Sequence, residues 1–158
     1  MLTIEKLQEC DLSKVLKITL PETQIKFAET AKDFLSDNND TTHLHVIKLN
    51  NTIVGFFKID TAYSSVYDFC SDTGVGLRAF VIDAKQQGKG IGSNAVKALF
   101  PYLQAHYPAY NTIYLTVNCK NDGARRCYQK GGFIDTGDTL LGGIEGPQYI
   151  MLGEIKAN

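Results

Sequence analysis

Gln87-Gly88-Lys89-Gly90-Ile91-Gly92-Ser93 stands between a strand-like apolar run, Leu77-Arg78-Ala79-Phe80-Val81-Ile82, and a helical pattern carried by Ile91, Val96, Leu99, Phe100 and Leu103. Its three alternate glycines remove side chains where a backbone must come close to a ligand. The first turn of the following helix leaves N–H groups unpaired, and its dipole favours negative charge. Together they form a cradle suited to phosphate. A P-loop does not fit, because no Lys-Ser or Lys-Thr pair follows these glycines. A dinucleotide fingerprint, G-x-G-x-x-G, does not fit either: its last glycine would fall on Ser93 or Ala95. A glycine-rich helix entry without a ligand would use the same residue types.

Working outward, the remainder of the chain bounds the class of protein. Its 158 residues suit one domain spanning 1–158. The hydrophobic fraction is 44% and the charged fraction 21%, which excludes disordered and collagen-like classes. With 16 basic against 17 acidic residues, no basic footprint exists, so nucleic acid is not an expected partner. No apolar run approaches the roughly 18–20 residues of a membrane span. Met1 to Cys10 alternates polar and apolar residues and lacks a signal-peptide core, so a cytoplasmic location is expected. Cys10, Cys70, Cys119 and Cys127 include no C-x-x-C pair, so reduced thiols are expected and no zinc site.

Periodicity places the elements. Leu2, Ile4 and Leu7 suggest a first strand, and Leu12, Val15, Leu16 and Ile18 a short helix over Asp11 to Leu20. Thr19 before Pro21 and Glu22 reads as the cap of a second helix running to Leu35. A polar loop from Ser36 to Thr42 follows. Leu44–Leu49 and Ile53–Ile59 read as a hairpin turned at Asn50-Asn51, and Gly76–Ile82 as the next strand. Tyr63 to Asp72 shows no regular pattern. Pro101 either kinks the long helix or ends it near Phe100. Ile113–Val117 is a strand, and Asn121–Lys130 a helix with Asn121 as N-cap and Gly131 as its stop. Phe133 to Leu152 holds two more strands around Gly142-Gly143 and Gly146-Pro147. The expected architecture is mixed α/β: one central, mostly antiparallel sheet with about four flanking helices.

A second motif joins the glycine loop. Gln87, Gly90 and Gly92 match Q/R-x-x-G-x-G/A, the coenzyme A pyrophosphate loop of the GNAT N-acetyltransferase superfamily. Some 30 residues later, Asn121-Asp122-Gly123-Ala124-Arg125-Arg126-Cys127-Tyr128-Gln129-Lys130-Gly131-Gly132-Phe133 resembles that superfamily's N-x-x-A-x-x-x-Y-x-x-x-G-F at every named position. The resemblance implies a sheet splayed between the fourth and fifth strands. It implies acetyl-CoA as co-substrate, with Gln87, Gly88, Lys89, Gly90, Ile91, Gly92 and Ser93 around the pyrophosphate. The main chain of Phe80, Val81 and Ile82 would bind the pantetheine arm like an added strand, with Asn121 bordering it. Asn121 is equally compatible with a plain N-cap role. Tyr128 is implied as the general acid that protonates the departing thiolate.

No acid stands at Leu77, Arg78 or Ala79, where many members carry a base. Asp72, Asp68 and Glu22 are conceivable bases through a water, while Asp83 reads as structural. His43 and His45 share a strand face by the period of two, without a third metal ligand. His106 suits a helix C-terminus. Cys127 is expected away from the site, because helix neighbours diverge by about 100°. The resemblance places the acceptor among Leu16 to Phe34 and Leu141 to Tyr149, with Glu22, Glu29, Asp33, Asp37 and Asp40 nearby to attract a cationic amine. Arg78 to Asp83 running into Gln87-Gly88-Lys89-Gly90, and Pro21-Glu22-Thr23-Gln24, resemble the bacterial spermine/spermidine acetyltransferases more closely. The implied partner is therefore a small amine, with a polyamine foremost. A protein N-terminus, an antibiotic amine, an inactive CoA-binding homologue and a homodimer all stay open.

Overall fold

The computed structural model describes residues 1–20, 30–143 and 145–155. Seven strands form one sheet in the order β1-β2-β3-β4-β5-β7-β6. They are β1 (Leu2–Lys6), β2 (Thr42–Leu49), β3 (Thr52–Asp60), β4 (Gly74–Ile82), β5 (Thr112–Asn118), β6 (Ile134–Leu140) and β7 (Gln148–Glu154). Among the described residues five helices flank it: α1 (Leu12–Val15), α2 (Ala31–Ser36), α3 (Tyr63–Val66), α4 (Ile91–His106) and α5 (Asp122–Gly131). Every strand pair is antiparallel except β4–β5.

The parallel pair creates the opening that matters. Only Gly74 to Gly76 pair with Thr112 to Tyr114, so β4 and β5 diverge beyond that point as the resemblance implied. A bulge shapes the free part of β4. Phe56 faces Val81 and Lys58 faces Arg78, so Phe57 stands opposite both Ala79 and Phe80. Ala79 takes φ +54°, an uncommon left-handed conformation for a residue with a Cβ. The bulge breaks the alternation of side chains. Leu77 and Phe80 pack on one face of the sheet, and Ala79 and Val81 on the other.

Alternating apolar residues fill both faces. On one face α4 sets Ala95, Val96, Leu99 and Leu103 against Phe57, Val75, Leu77, Ile113, Leu115 and Met151. On the other, Val15 and Phe34 meet Val46, Phe56 and Val81, with the Phe34 and Phe56 rings stacked at 4.1 Å. Each large side chain fully buried in this way contributes about 1.5–3 kcal/mol.

Several sequence expectations need correction. The first helix is only Leu12–Val15, and the chain after it runs through turns to Ile18 before tertiary bonds hold Thr19. The Thr19 hydroxyl donates to Asp83 Oδ1 (3.3 Å), and the Thr19 carbonyl accepts from Ala84 N (2.8 Å). Thr19 is thus held by the end of β4. The first part of the expected second helix, Pro21 to Glu29, lies outside the described residues; α2 begins after Thr30, whose side chain accepts from Asp33 N. A further short helix, α3, occupies the segment read as irregular. Pro101 does not end α4, which runs on to His106. Lys97, four residues earlier, and Pro101 are both exposed, so the carbonyl deprived of its donor faces water. The stop of α5 is Gly132 at φ +120°, one residue later than expected. Gly131 stays helical and has no room for a side chain, since a Cβ would overlap Val96.

Candidate active site

Where β4 and β5 part, a cleft of about 460 Å³ opens between three elements. The end of β4 supplies Phe80 and Ile82. The glycine loop supplies Gln86, Gln87, Gly88, Gly90, Ile91, Gly92 and Ser93. One face of α5 supplies Gly123, Ala124, Arg126, Cys127, Tyr128 and Lys130.

Local chemistry sets the loop. Gln87 Nε2 donates to the Ile82 carbonyl (3.0 Å), tying the loop to the strand end. Gly88 and Gly90 have φ +81° and +74°, a hand of backbone that disfavours side chains. A Cβ on either would meet nothing within 4 Å, so open space lies before the loop. Gly90 is the N-cap of α4 and provides no capping side chain, and no acid stands in the first turn. The N–H groups of that turn therefore offer an anion site, and Arg126 and Lys130 add positive charge on the opposite wall. Ser93 Oγ turns back to the Gly90 carbonyl (3.3 Å). These features fit a pyrophosphate-bearing ligand.

The orientation of α5 follows from its outer side. Arg125 Nη2 and Gln129 Nε2 donate to Asp135 Oδ2 (2.8 and 3.0 Å), and the Arg125 guanidinium lies over the Tyr149 ring at 4.2 Å. That clamp turns Gly123, Cys127 and Lys130, spaced at helical intervals, toward the cleft. The partly buried Tyr128 ring meets Phe80 and Phe133 edge-on at 5.8 and 5.9 Å. Burial pushes its phenol well above the ordinary value of 10, so it carries its proton throughout the neutral range. A group in that state can donate a proton.

The expectation that Cys127 cannot share a site with Tyr128 is overturned, because both line the cleft. The cleft runs across α5 and is wide enough to meet both side chains. Cys127 Sγ sits 3.0 Å from where a Cβ on Gly92 would lie, so it packs on the loop. Burial pushes its thiol up to about 11, which leaves little thiolate at neutral pH.

Other expected residues are placed differently. Val81 does not line the cleft; its side chain is buried on the opposite face, leaving only its main chain for a ligand. Asn121 caps α5, accepting from Ala124 N (3.3 Å), and is off the cleft wall. Lys89 is exposed and donates to Gln86 Oε1 (3.3 Å). Asp83 is buried and accepts from Lys85 N (3.2 Å) as well as Thr19. Asp68 and Asp72 are exposed beyond α3, and Glu22 lies outside the described residues. His43 Nδ1 pairs with the Tyr107 hydroxyl (2.7 Å), His45 stacks on Phe57 at 4.9 Å, and the His106 ring lies against Tyr102 at 4.4 Å.

The acids on the α2 side include a network that spacing did not reveal. Asp37 Oδ2 receives Lys58 Nζ (3.0 Å) and Arg78 Nη2 (3.3 Å), and Arg78 Nη1 reaches Asp60 Oδ2 (3.2 Å). The hydrogen bond from Lys58 leads in holding the Asp37 carboxyl below its usual value. Gln86, Gly123, Ala124, Arg126, Cys127 and Lys130 also escaped the sequence. Helical stepping from Gly123 through Cys127 to Lys130 was the available signal.

Comparison with known proteins agrees with this geometry. The model of the acetyltransferase (GNAT) family matches residues 4–133. A spermine/spermidine N(1)-acetyltransferase of Bacillus subtilis is 27% identical over 98% of this chain and 99% of its own. The aminoglycoside acetyltransferase AAC(6')-Ib, solved with coenzyme A and kanamycin, superposes with a TM-score of 0.76 at 21% identity, covering 98% of this chain and 95% of that one. A spermidine N-acetyltransferase from Vibrio cholerae, solved with CoA and spermine, gives 0.69 at 15% identity over 97% and 95%. With the match spanning both the glycine loop and α5, the chain belongs to the GNAT acetyltransferase family and uses acetyl-CoA to acetylate amines.

Proposed function

We propose that the acceptor is a polyamine, acetylated directly from acetyl-CoA at a primary amine. The observation that carries this is the full-length similarity to a spermine/spermidine acetyltransferase. The exposed acids Asp33 and Asp40, on and after α2, support it, since carboxylates there raise the local concentration of a cation. The same comparison supports treating the chain as one acetyltransferase unit of bacterial type. Four free thiols support a cytoplasmic location.

In this reading the N–H groups at Gly88 to Ser93 and the charges of Arg126 and Lys130 hold the pyrophosphate. The edge of Phe80 to Ile82 that faces β5, left unpaired by the splay, holds the pantetheine arm. Main-chain polar groups at a buried strand edge need partners, and an extended amide-bearing arm provides them. Tyr128 protonates the departing sulfur. The phenol keeps its proton throughout the neutral range and so has one to give, while the raised Cys127 thiol is a poor nucleophile and favours direct transfer. The amine reaches the thioester already deprotonated, without a dedicated base.

The test is thiol release from acetyl-CoA with spermine, spermidine, kanamycin and an alanyl peptide. The expected result is the highest kcat/KM with a polyamine. A higher value for the aminoglycoside or the peptide overturns the acceptor assignment. Binding of acetyl-CoA without turnover of any amine identifies an inactive homologue.

A further inference from the structure

We propose that Tyr63 closes the inner end of the acyl-donor slot and so restricts the transferred group to acetyl. The proposal rests on assigning the cleft to acyl-CoA. The slot has two unlike ends. One opens at the glycine loop. Beyond the other, past the residues that line the cleft, β4 and β5 converge on their last pair, Gly76 and Tyr114. With the phosphates at the loop and the arm along Ile82 to Phe80, the thioester points toward that junction. From Phe80 back to Gly76 is roughly 13 Å at about 3.3 Å per residue, and the Ala79 bulge shortens it. The thioester, the acyl group and the attacking amine share that length.

Tyr63 stands at that junction. The ring of Tyr63, the first residue of α3, lies flat on Gly76, where any Cβ would overlap it. The phenol interacts with the Thr116 side chain on β5, two residues past Tyr114. The ring thus bridges both strands immediately beyond their last pair. Tyr67 and Phe69 back it with centroids at 4.7 and 5.9 Å, and Tyr63 is only 3% exposed. A ring so held cannot swing away for a longer acyl chain. Gly76 is therefore needed to seat Tyr63, and Tyr63 sets the depth of the slot.

The experiment compares kcat/KM for acetyl-, propionyl- and butyryl-CoA with one amine, in the wild type, Tyr63→Leu and Tyr63→Phe. A fixed wall is expected to cost the wild type about 10–200-fold for an added methylene. Tyr63→Leu should raise the butyryl-to-acetyl ratio at least about tenfold, while Tyr63→Phe keeps the parental ratio because the ring remains. Equal use of acetyl and butyryl by the wild type overturns the proposal, as does an unchanged ratio in a folded Tyr63→Leu protein. Should Tyr63→Leu not fold, thermal stabilisation of the wild type decides: acetyl-CoA should raise Tm more than butyryl-CoA, and equal rises refute the wall. If neither thioester raises Tm, the acyl-CoA assignment itself fails and the proposal falls with it.

Discussion

His45 gives the protein a pH dependence whose size follows from its surroundings. Its side chain is fully buried beneath the C-terminal part of α4. The ring is stacked on Phe57 at 4.9 Å and 4°, and meets Tyr102 edge-on at 5.3 Å. Nδ1 donates to the His43 carbonyl (3.0 Å), so the other nitrogen is the unprotonated one, and the buried Nε2 has no partner among the described residues. The titratable groups facing it are Lys6 on β1, His43 on β2, and Tyr102, His106 and Tyr107 on and just after α4. Burial lowers its pKa from 6.5 to about 4, opposed by the hydrogen bond to the His43 carbonyl and reinforced by the charges of His43, Lys6 and His106. Between these values the unfolded chain binds a proton that the folded chain refuses. Stability is therefore present in full above about pH 6.5 and falls as the pH drops toward 4. At about 1.4 kcal/mol per pH unit the loss is about 3 kcal/mol. For a chain of this length that corresponds to about 6–12 °C in Tm. The measurement is urea unfolding from pH 7.5 to 4 for the wild type and His45→Phe, which preserves the stack on Phe57. The stability difference between the two should move by about 3 kcal/mol in favour of the variant as the pH falls. Parallel curves would refute the assignment of a buried, neutral imidazole.

Three more outcomes bear on the site. Tyr128→Phe should lower turnover by about 10²–10⁴-fold while leaving the Tm rise with acetyl-CoA in place; full activity would leave the sulfur's proton to water. In the wild type the alkaline limb of the rate should follow the acceptor, whose amine has an ordinary pKa near about 10.4, and move when amines of different pKa are compared; a fixed limb would reveal an enzyme base. Gly90→Val should abolish the Tm rise with acetyl-CoA, because a branched side chain both opposes φ +74° and enters the open cradle; an undiminished rise would show that the ligand binds elsewhere.

Both motifs were legible because each is local. The glycine loop and the Asn121 to Phe133 segment lie within single strand-turn-helix units, where spacing along the chain is spacing in space. The long, strongly periodic elements were legible for the same reason: β2, β3, α4 and β5 declare themselves by alternation or by a 3.6-residue stripe. The short helices were not. Four residues of α1 and four of α3 make less than two turns, and tertiary contacts decide them.

The sequence by itself determined the family and supplied the glycine loop and Tyr128 as candidates for anion binding and proton donation, because these depend on residue types at fixed short separations. Only the tertiary structure decided how the cleft is walled. The clamp of Arg125 and Gln129 on Asp135 rotates α5 so that Cys127 joins Tyr128 in the cleft. The positive φ of Ala79 reverses the side-chain alternation of β4 and turns Phe80 toward Tyr128. The ring of Tyr63 comes down on Gly76 from another element altogether. Each of these is a contact between segments distant along the chain or a backbone conformation forced by packing. No local pattern of residue types encodes either, because the partner that imposes it is brought near only when the sheet is assembled.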